Sequence, residues 1–341
     1  MNKKLYDKNG YLNMEYVIET DVPFIFVVGA RAVGKTYGAL KYVVERDKKH
    51  ILMRRTQAQC DVISKPEFSP YKSINIDCGT DIDLSQSISK NSHAIMNLAK
   101  DSPYMGFTCA LSTVANIRGL DASDCELLLY DEFIPEKHER PLKNEASAFF
   151  NAYETFNRNR ELQGKPALKA VCLANSNDMG NPLFMALGLV LTVEKMLANG
   201  VEKWVDYDRG LAVFCVSDSK ISEAKKNTAL YKAVGEDNEF SRMALSNEFS
   251  YDDTSREKSR RLVEYRPIVA VGELCIYRHK SSGRYYVTGH KSGNPKTYGT
   301  SSVELSRFQI DQRRLWVQYM TNNIEFENYY HELLFQKYFK Y

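Results

Sequence analysis

Residues Phe24-Ile25-Phe26-Val27-Val28 form an unbroken apolar run. Such a run has the length of a strand buried on both faces, as in a parallel sheet. Glycine follows at once, and then a helix-like stretch from Lys35 to Arg46. A second short strand is predicted over Ile51 to Met53 and ends in Arg54-Arg55. The segment from Thr56 to Ser92 is polar and turn-rich and yields no ordered reading. His93 to Leu98 and Gly106 to Leu111 have strand character, and Glu126 to Tyr130 is a compact strand centred on Leu127-Leu128-Leu129. Asn144 to Asn157 carries Phe149, Phe150, Tyr153 and Phe156 at helical spacing, so one face packs inward. Lys169 to Ala174 is a further buried strand. Apolar strands alternating with helices predict a three-layer α/β domain with a mainly parallel sheet.

The pattern changes after about residue 200. Lys203 to Glu239 is mixed and polar and is predicted to be a linker. From Arg266 the signal is that of hairpins: Ile268 to Val271, Leu274 to Arg278, the turn Ser281-Ser282-Gly283, and Tyr285 to Thr288. Two helices are predicted to close the chain, around Ser306 to Tyr319 and Glu325 to Phe339. Leu183 to Val193 is the most apolar run and is predicted to be one buried helix. It is interrupted by Gly188 and falls short of the roughly 20 residues of a membrane span. Met1 to Gly10 is polar and has no signal-peptide core.

Composition adds limits. A chain of 341 residues with 43% hydrophobic and 26% charged residues can build two domains with a sizeable core. The net charge of +3 announces no nucleic-acid partner, so any such contact must come from a local patch. The seven cysteines form no C-x-x-C pair, and His93 and His138 have no partner at metal-ligand spacing. Reduced thiols and no zinc site are expected.

The chemistry concentrates after the first strand. Gly29-Ala30-Arg31-Ala32-Val33-Gly34-Lys35-Thr36, followed by Tyr37, matches the phosphate-loop pattern G-x-x-x-x-G-K-[ST] in full. Gly29 and Gly34 let the backbone turn so that successive N–H groups face phosphate oxygens, and the helix N-terminus adds its positive dipole end. Lys35 brings a mobile charge to the β- and γ-phosphates, and the Thr36 hydroxyl suits Mg²⁺. ATP and Mg²⁺ are the expected ligands.

Leu127-Leu128-Leu129-Tyr130-Asp131-Glu132 has the form of the second nucleotide motif. Asp131 would hold Mg²⁺, and Glu132 would orient and polarise the attacking water, which favours hydrolysis over simple binding. Further strands are read between the phosphate loop and this pair, which fits the additional-strand class of P-loop ATPases. Asn175, just past Val171-Cys172-Leu173-Ala174, is either a γ-phosphate sensor or a loop residue capping a turn. Arg158 and Arg160 follow the amphipathic helix. Either they form a solvated helix end, or one is a finger offered to a neighbouring subunit's γ-phosphate.

An ordered set of blocks extends these motifs: Gly29 to Tyr37, Arg54-Arg55, Asp131-Glu132-Phe133-Ile134 with Glu136-Lys137, Asn144-Glu145-x-Ser147-Ala148, Arg158-Asn159-Arg160-Glu161, and Cys172-Leu173-Ala174-Asn175 ending in Asn181-Pro182. Over roughly residues 24 to 184 the chain resembles the DNA-encapsidation ATPases of small Picovirinae-type podophages, relatives of the large terminases. The resemblance implies an ATPase domain over 1–200, a linker over 201–240, and an RNase H-like α+β domain over 241–341. It implies a homo-oligomeric ring, a pentamer, in the host cytoplasm, docked transiently on the portal (connector) of a procapsid. That ring would drive double-stranded DNA into the shell, with a structural packaging RNA as a further partner and no membrane. It makes Arg158 the trans-acting finger and places Arg118 where the family carries a second basic group between subunits. The Gln163 to Pro166 stretch looks longer than the family pattern. A live nuclease needs carboxylates around two Mg²⁺ ions. The hairpin strands hold only Glu273 nearby, so the second domain is read as a nuclease relic.

Arg256 to Arg314 contains thirteen Lys and Arg against five acids. Phosphate-backbone contact without sequence preference is one reading of this excess; a solvated basic face, or a docking surface for portal or RNA, is the other. Lys280 and Arg284, flanking the hairpin turn, and Arg54 and Arg55 are individual DNA-contact candidates. Two alternatives to a packaging motor stand: a terminase-like ATPase with an active nuclease, and a nucleotide-gated assembly protein that translocates nothing.

Overall fold

The computed structural model describes residues 5–29, 31–117, 119–135, 139, 142–175, 178–216, 224, 226–235 and 254–339. The chain forms two compact units, one running to Ser250 apart from Gly188–Leu191, the other from Tyr251 onward.

The first unit is built on a ten-stranded sheet. Its strands are β1 (Phe24–Gly29), β2 (His50–Arg54), β3 (Ile82–Asp83), β4 (Ser87–Ser89), β5 (Ser92–Asn97), β6 (Tyr104–Ala110), β7 (Leu127–Asp131), β8 (Lys169–Ala174), β9 (Lys203–Asp206) and β10 (Leu211–Val216). The order is β3-β5-β6-β2-β7-β8-β1-β10-β9, with β4 beside β5. From β6 to β10 every pairing is parallel, and antiparallel strands lie only at the margins. The inner strands are buried along almost their whole length, as the apolar runs require.

Side chains alternate across the sheet. Ile25 and Val27 of β1 and Leu127 and Leu129 of β7 share a core with Ala39, Leu40 and Val43 of α2 (Lys35–Glu45) and with Val17 and Ile18 of the short helix α1 (Met14–Ile18). Phe26 points the other way, against Phe133 and Phe184. On that face Tyr130 stacks on Phe149 of α5 (Glu145–Asn157), and Phe107 meets Phe156. Phe150 faces outward, so the buried stripe of α5 is narrower than expected.

Several expectations need correction. Residues 56–92, unread in the sequence, hold α3 (Gln57–Ile63), α4 (Lys72–Cys78), β3 and β4. Helix α3 opens with a capping box, Thr56 with Gln59, that the absence of an apolar run had hidden. The apolar run from Leu183 is two helices, α6 (Pro182–Leu187) and α7 (Val190–Ala198), parted at Gly188, which takes φ +65°. The linker reading fails over residues 203–216: β10 pairs with β1 inside the sheet, and β9 pairs antiparallel with β10. Beyond α8 (Ala229–Val234), residues 236–240 of the expected linker lie outside the described residues.

The second unit holds a sheet ordered β14-β11-β12-β13-β15: β11 (Tyr265–Val271), β12 (Leu274–His279), β13 (Tyr285–Thr288), β14 (Lys296–Tyr298) and β15 (Ile324–Phe326). The first three strands make the expected antiparallel meander, and Gly272 supplies a positive φ in the tight turn after β11. The outer strands run parallel to their neighbours. The predicted closing helices are three: α9 (Ser302–Asp311), α10 (Arg313–Met320) and α11 (Tyr329–Phe339). Glu325 and Phe326, expected at the start of the last helix, lie in β15 instead. Among the described residues no helix is long and apolar enough to cross a membrane.

His50 at the start of β2 is fully buried. Its Nδ1 lies 3.0 Å from the Lys48 carbonyl and its Nε2 2.5 Å from the Tyr71 hydroxyl. Burial pushes its pKa from 6.5 down to about 4. Between those values the unfolded chain binds a proton that the folded one refuses. Stability therefore falls as pH drops through this window, by up to roughly 1.4 kcal/mol per pH unit. Melts recorded from pH 7 to pH 4 should decline, and His50→Gln should flatten the decline. An unchanged slope in that variant would assign the acid sensitivity elsewhere.

Candidate nucleotide site

The strand order determines the site. The phosphate loop leaves the C-terminal end of β1, the Asp-Glu pair leaves that of β7, and β8 lies between them. Five strands separate the motifs in sequence, two of them, β3 and β4, in the segment that gave no ordered reading. The additional strand that defines the class is β8, inserted in space from later in the chain. Asn175 stands just past β8 and lines the same cavity as the loop.

Gly29 takes φ +156° and packs against β10, where a Cβ would meet the Val216 carbonyl at 2.3 Å. Gly34 takes φ +89° and begins α2. Ala32 and Val33 lie between them, Ala32 with φ +63°. Ala30 lies outside the described residues. Lys35 is 4% exposed, and its Nζ donates to the Gly29 carbonyl at 2.9 Å, curling back over the loop. Thr36 Oγ1 donates to Asp131 Oδ1 at 2.9 Å, across the intervening strand. Hydroxyl and carboxylate oxygens this close are the hard donors that Mg²⁺ takes. Glu132 follows Asp131 with φ +59°. A cavity of about 850 Å³ opens over the loop, walled by Tyr11 to Glu15 on one side and the outer face of α2 on the other. Tyr37 lies on that wall. Its hydroxyl bonds Asp77 of α4, and this bond, with burial, pushes its pKa up to about 12.

Arg54, a DNA-contact candidate on sequence, lies at this site, paired with its two carboxylates. Met53 of β2 pairs with Tyr130 of β7, which brings Arg54 beside the acidic pair. Its guanidinium lies 2.8 Å from Asp131 Oδ2 and 3.1 Å from Glu132 Oε2. Only the pairing of β2 with β7 reveals this, and chain order alone does not give it. Arg55 is removed from the DNA-contact candidates, being 1% exposed. It forks onto Glu145, with Nε–Oε1 2.7 Å and Nη2–Oε2 3.1 Å, and reaches Glu139 at 3.3 Å.

Arg158 caps the far end of α5 with φ +48°. Its side chain is 43% exposed; it donates to the Leu120 carbonyl at 2.8 Å and lies 3.7 Å from Asp121. Arg160 is buried and donates to the carbonyls of Pro166, Ser123 and Cys125. Of the two, Arg158 is therefore the one accessible to a neighbour, and Arg160 holds the turn together. Arg118 lies outside the described residues, as do Glu136 and Lys137.

The sequence profile of the podovirus DNA encapsidation protein (Gp16) family matches residues 6–274. The chain belongs to that family. The DNA packaging protein of Bacillus phage PZA is 24% identical over 341 residues, 94% of this chain and 95% of that protein. That of Bacillus phage phi29 is 23% identical with the same coverage. The solved bacteriophage Phi-29 viral genome packaging motor assembly contains a chain of the same fold, with TM-score 0.68, 19% identity, and coverage of 97% and 99%.

In this encapsidation protein much of the basic excess of residues 256–314 is paired. Arg260 and Arg284 share Glu325, Arg256 meets Glu332, Lys296 meets Asp311, and Arg307 meets Glu304. Lys280 is turned onto the Val263 carbonyl at 2.7 Å, and the Arg284 side chain remains 56% exposed.

Proposed function

We propose that this chain is the ATPase of a DNA-packaging motor, which hydrolyses ATP to move double-stranded DNA into a procapsid. The carrying observation is the Thr36–Asp131 bond at 2.9 Å with Glu132 beside it, at the end of a β1-β8-β7 sheet. Bound Mg²⁺·ATP would supply the transferable phosphoryl group and the charge neutralisation. The loop amides and Lys35 would hold the phosphates, and Thr36 and Asp131 the cation. Glu132 would take the proton of the attacking water, while Arg54 fixes where that carboxylate points. Arg158 would act on the neighbouring subunit's nucleotide within a homo-oligomeric ring, a pentamer, seated on the portal with a structural RNA as a further contact. Asn175 would contact the γ-phosphate, and Arg118 would be a second basic group at the same subunit boundary.

The second domain serves as a docking and DNA-contact module, with Lys280 and Arg284 the remaining candidates. Two of its buried carboxylates, Glu325 and Glu332, are taken up by arginines, which supports a nuclease relic over a cutting enzyme. Purified protein should hydrolyse ATP faster with double-stranded DNA and faster still with procapsids. Slow hydrolysis indifferent to both would make it a nucleotide-gated assembly protein. Mg²⁺- or Mn²⁺-dependent nicking of plasmid DNA would restore the nuclease.

A further inference from the structure

Two neighbouring pairs in the sequence split their tasks across the sheet. Arg54 turns to the acidic pair of the nucleotide site, and Arg55, next along the strand end, turns to α5. Asp131 faces Thr36, and Tyr130 before it stacks on Phe149 of α5, ring centroids 5.6 Å apart and planes 17° from parallel. Successive side chains leave a strand on opposite faces, so the two nucleotide-side groups and the two helix-side groups are covalent neighbours. The helix-side groups converge on one residue: Arg55 forks onto Glu145, and the Tyr130 hydroxyl lies 3.4 Å from Glu145 Oε1. Glu145 is the first residue of α5, and Arg158 is its C-cap. Thirteen residues of helix, roughly 20 Å, connect them.

Apolar packing alone would hold α5 against the sheet. Phe149, Ala152 and Phe156 do that, and replacing a buried ion pair with apolar groups is often neutral for stability. A two-toothed fork adds what grease does not, a single register.

We propose that Arg55 and Glu145 form the joint that sets where Arg158 stands, so that the nucleotide carboxylates of one subunit and the arginine it offers the next are registered as one piece. Arg55 and Glu145 are positioning residues, acting through Arg158 on a neighbour's site. The inference rests on the trans-acting reading of Arg158.

Complementation in procapsid-bound rings tests it. Arg55→Lys keeps the charge and loses the fork. Its rings should turn over ATP up to roughly a hundredfold more slowly, with KM for ATP unchanged. Mixing Arg55→Lys with Lys35→Ala subunits should restore turnover, because the two defects spoil different faces of an interface. Mixing Arg55→Lys with Arg158→Ala should restore none, because both spoil the same face. A raised KM, or no rescue by Lys35→Ala, places the Arg55 defect in its own site and overturns the proposal. If Arg158→Ala itself is not rescued by Lys35→Ala, the trans reading fails and this inference falls with it. Should Arg55→Lys not fold, Glu145→Gln, which keeps the shape and loses the charge, takes its place. A folded Glu145→Gln ring with wild-type turnover overturns the joint.

Discussion

Glu132→Gln should bind ATP as the wild-type chain does and hydrolyse it at least about a hundredfold more slowly, the usual contribution of a general base. The amide keeps the shape of the side chain and can still meet Arg54, 3.1 Å away in the wild type, but it cannot take a proton. Lys35→Ala should differ in kind. It removes a buried ammonium from the phosphate loop and should abolish turnover while weakening nucleotide binding as well. Titration with a fluorescent nucleotide and a phosphate-release assay separate the two effects. Hydrolysis retained in Glu132→Gln would remove that residue from the chemistry and leave Asp131 and Arg54 as a binding constellation only.

Arg158→Ala should cost about a thousandfold or more in ring turnover, the range over which an arginine finger acts. The residue is exposed on its own subunit and separated from the start of its own helix by the whole of α5. Its effect should therefore be felt next door. Rings of Arg158→Ala alone and of Lys35→Ala alone should be inactive, and a mixture should recover part of the activity. No recovery at any mixing ratio would make Arg158 a structural C-cap, bonded to Leu120 and Asp121 as it is here.

Much of the first domain was legible because apolar strands followed by glycine or acid leave little choice. Phe24 to Val28 and Lys169 to Ala174 formed strands almost where their apolar runs begin and end. The phosphate loop and the Asp-Glu pair could be read because each is local, carried by residues contiguous in the chain. Much of what could not be read was non-local. Arg54 looked like half of a basic dipeptide until β2 was paired with β7. Arg55 could be recognised as buried only once Glu145, ninety residues away, was beside it. Lys203 to Val216 is rich in charge at one end, and its strands are recognisable only through their pairing with β1. Gly188 interrupts eleven mostly apolar residues whose pattern suits one helix, and its positive φ divides them into two. The basic excess near the C-terminus is plain in the sequence, but composition does not show that five of its members face carboxylates.

The pairing of β10 with β1 bears on how firmly the phosphate loop is held. Val216, the last residue of β10, is the partner of Gly29, the first residue of the phosphate loop. At that pairing there is no room for even a methyl group between Gly29 and the Val216 carbonyl, so a displacement of β10 is passed directly to the loop. The loop is thus braced on both sides, by β8 and by β10, and a shift of either strand is felt at its first residue.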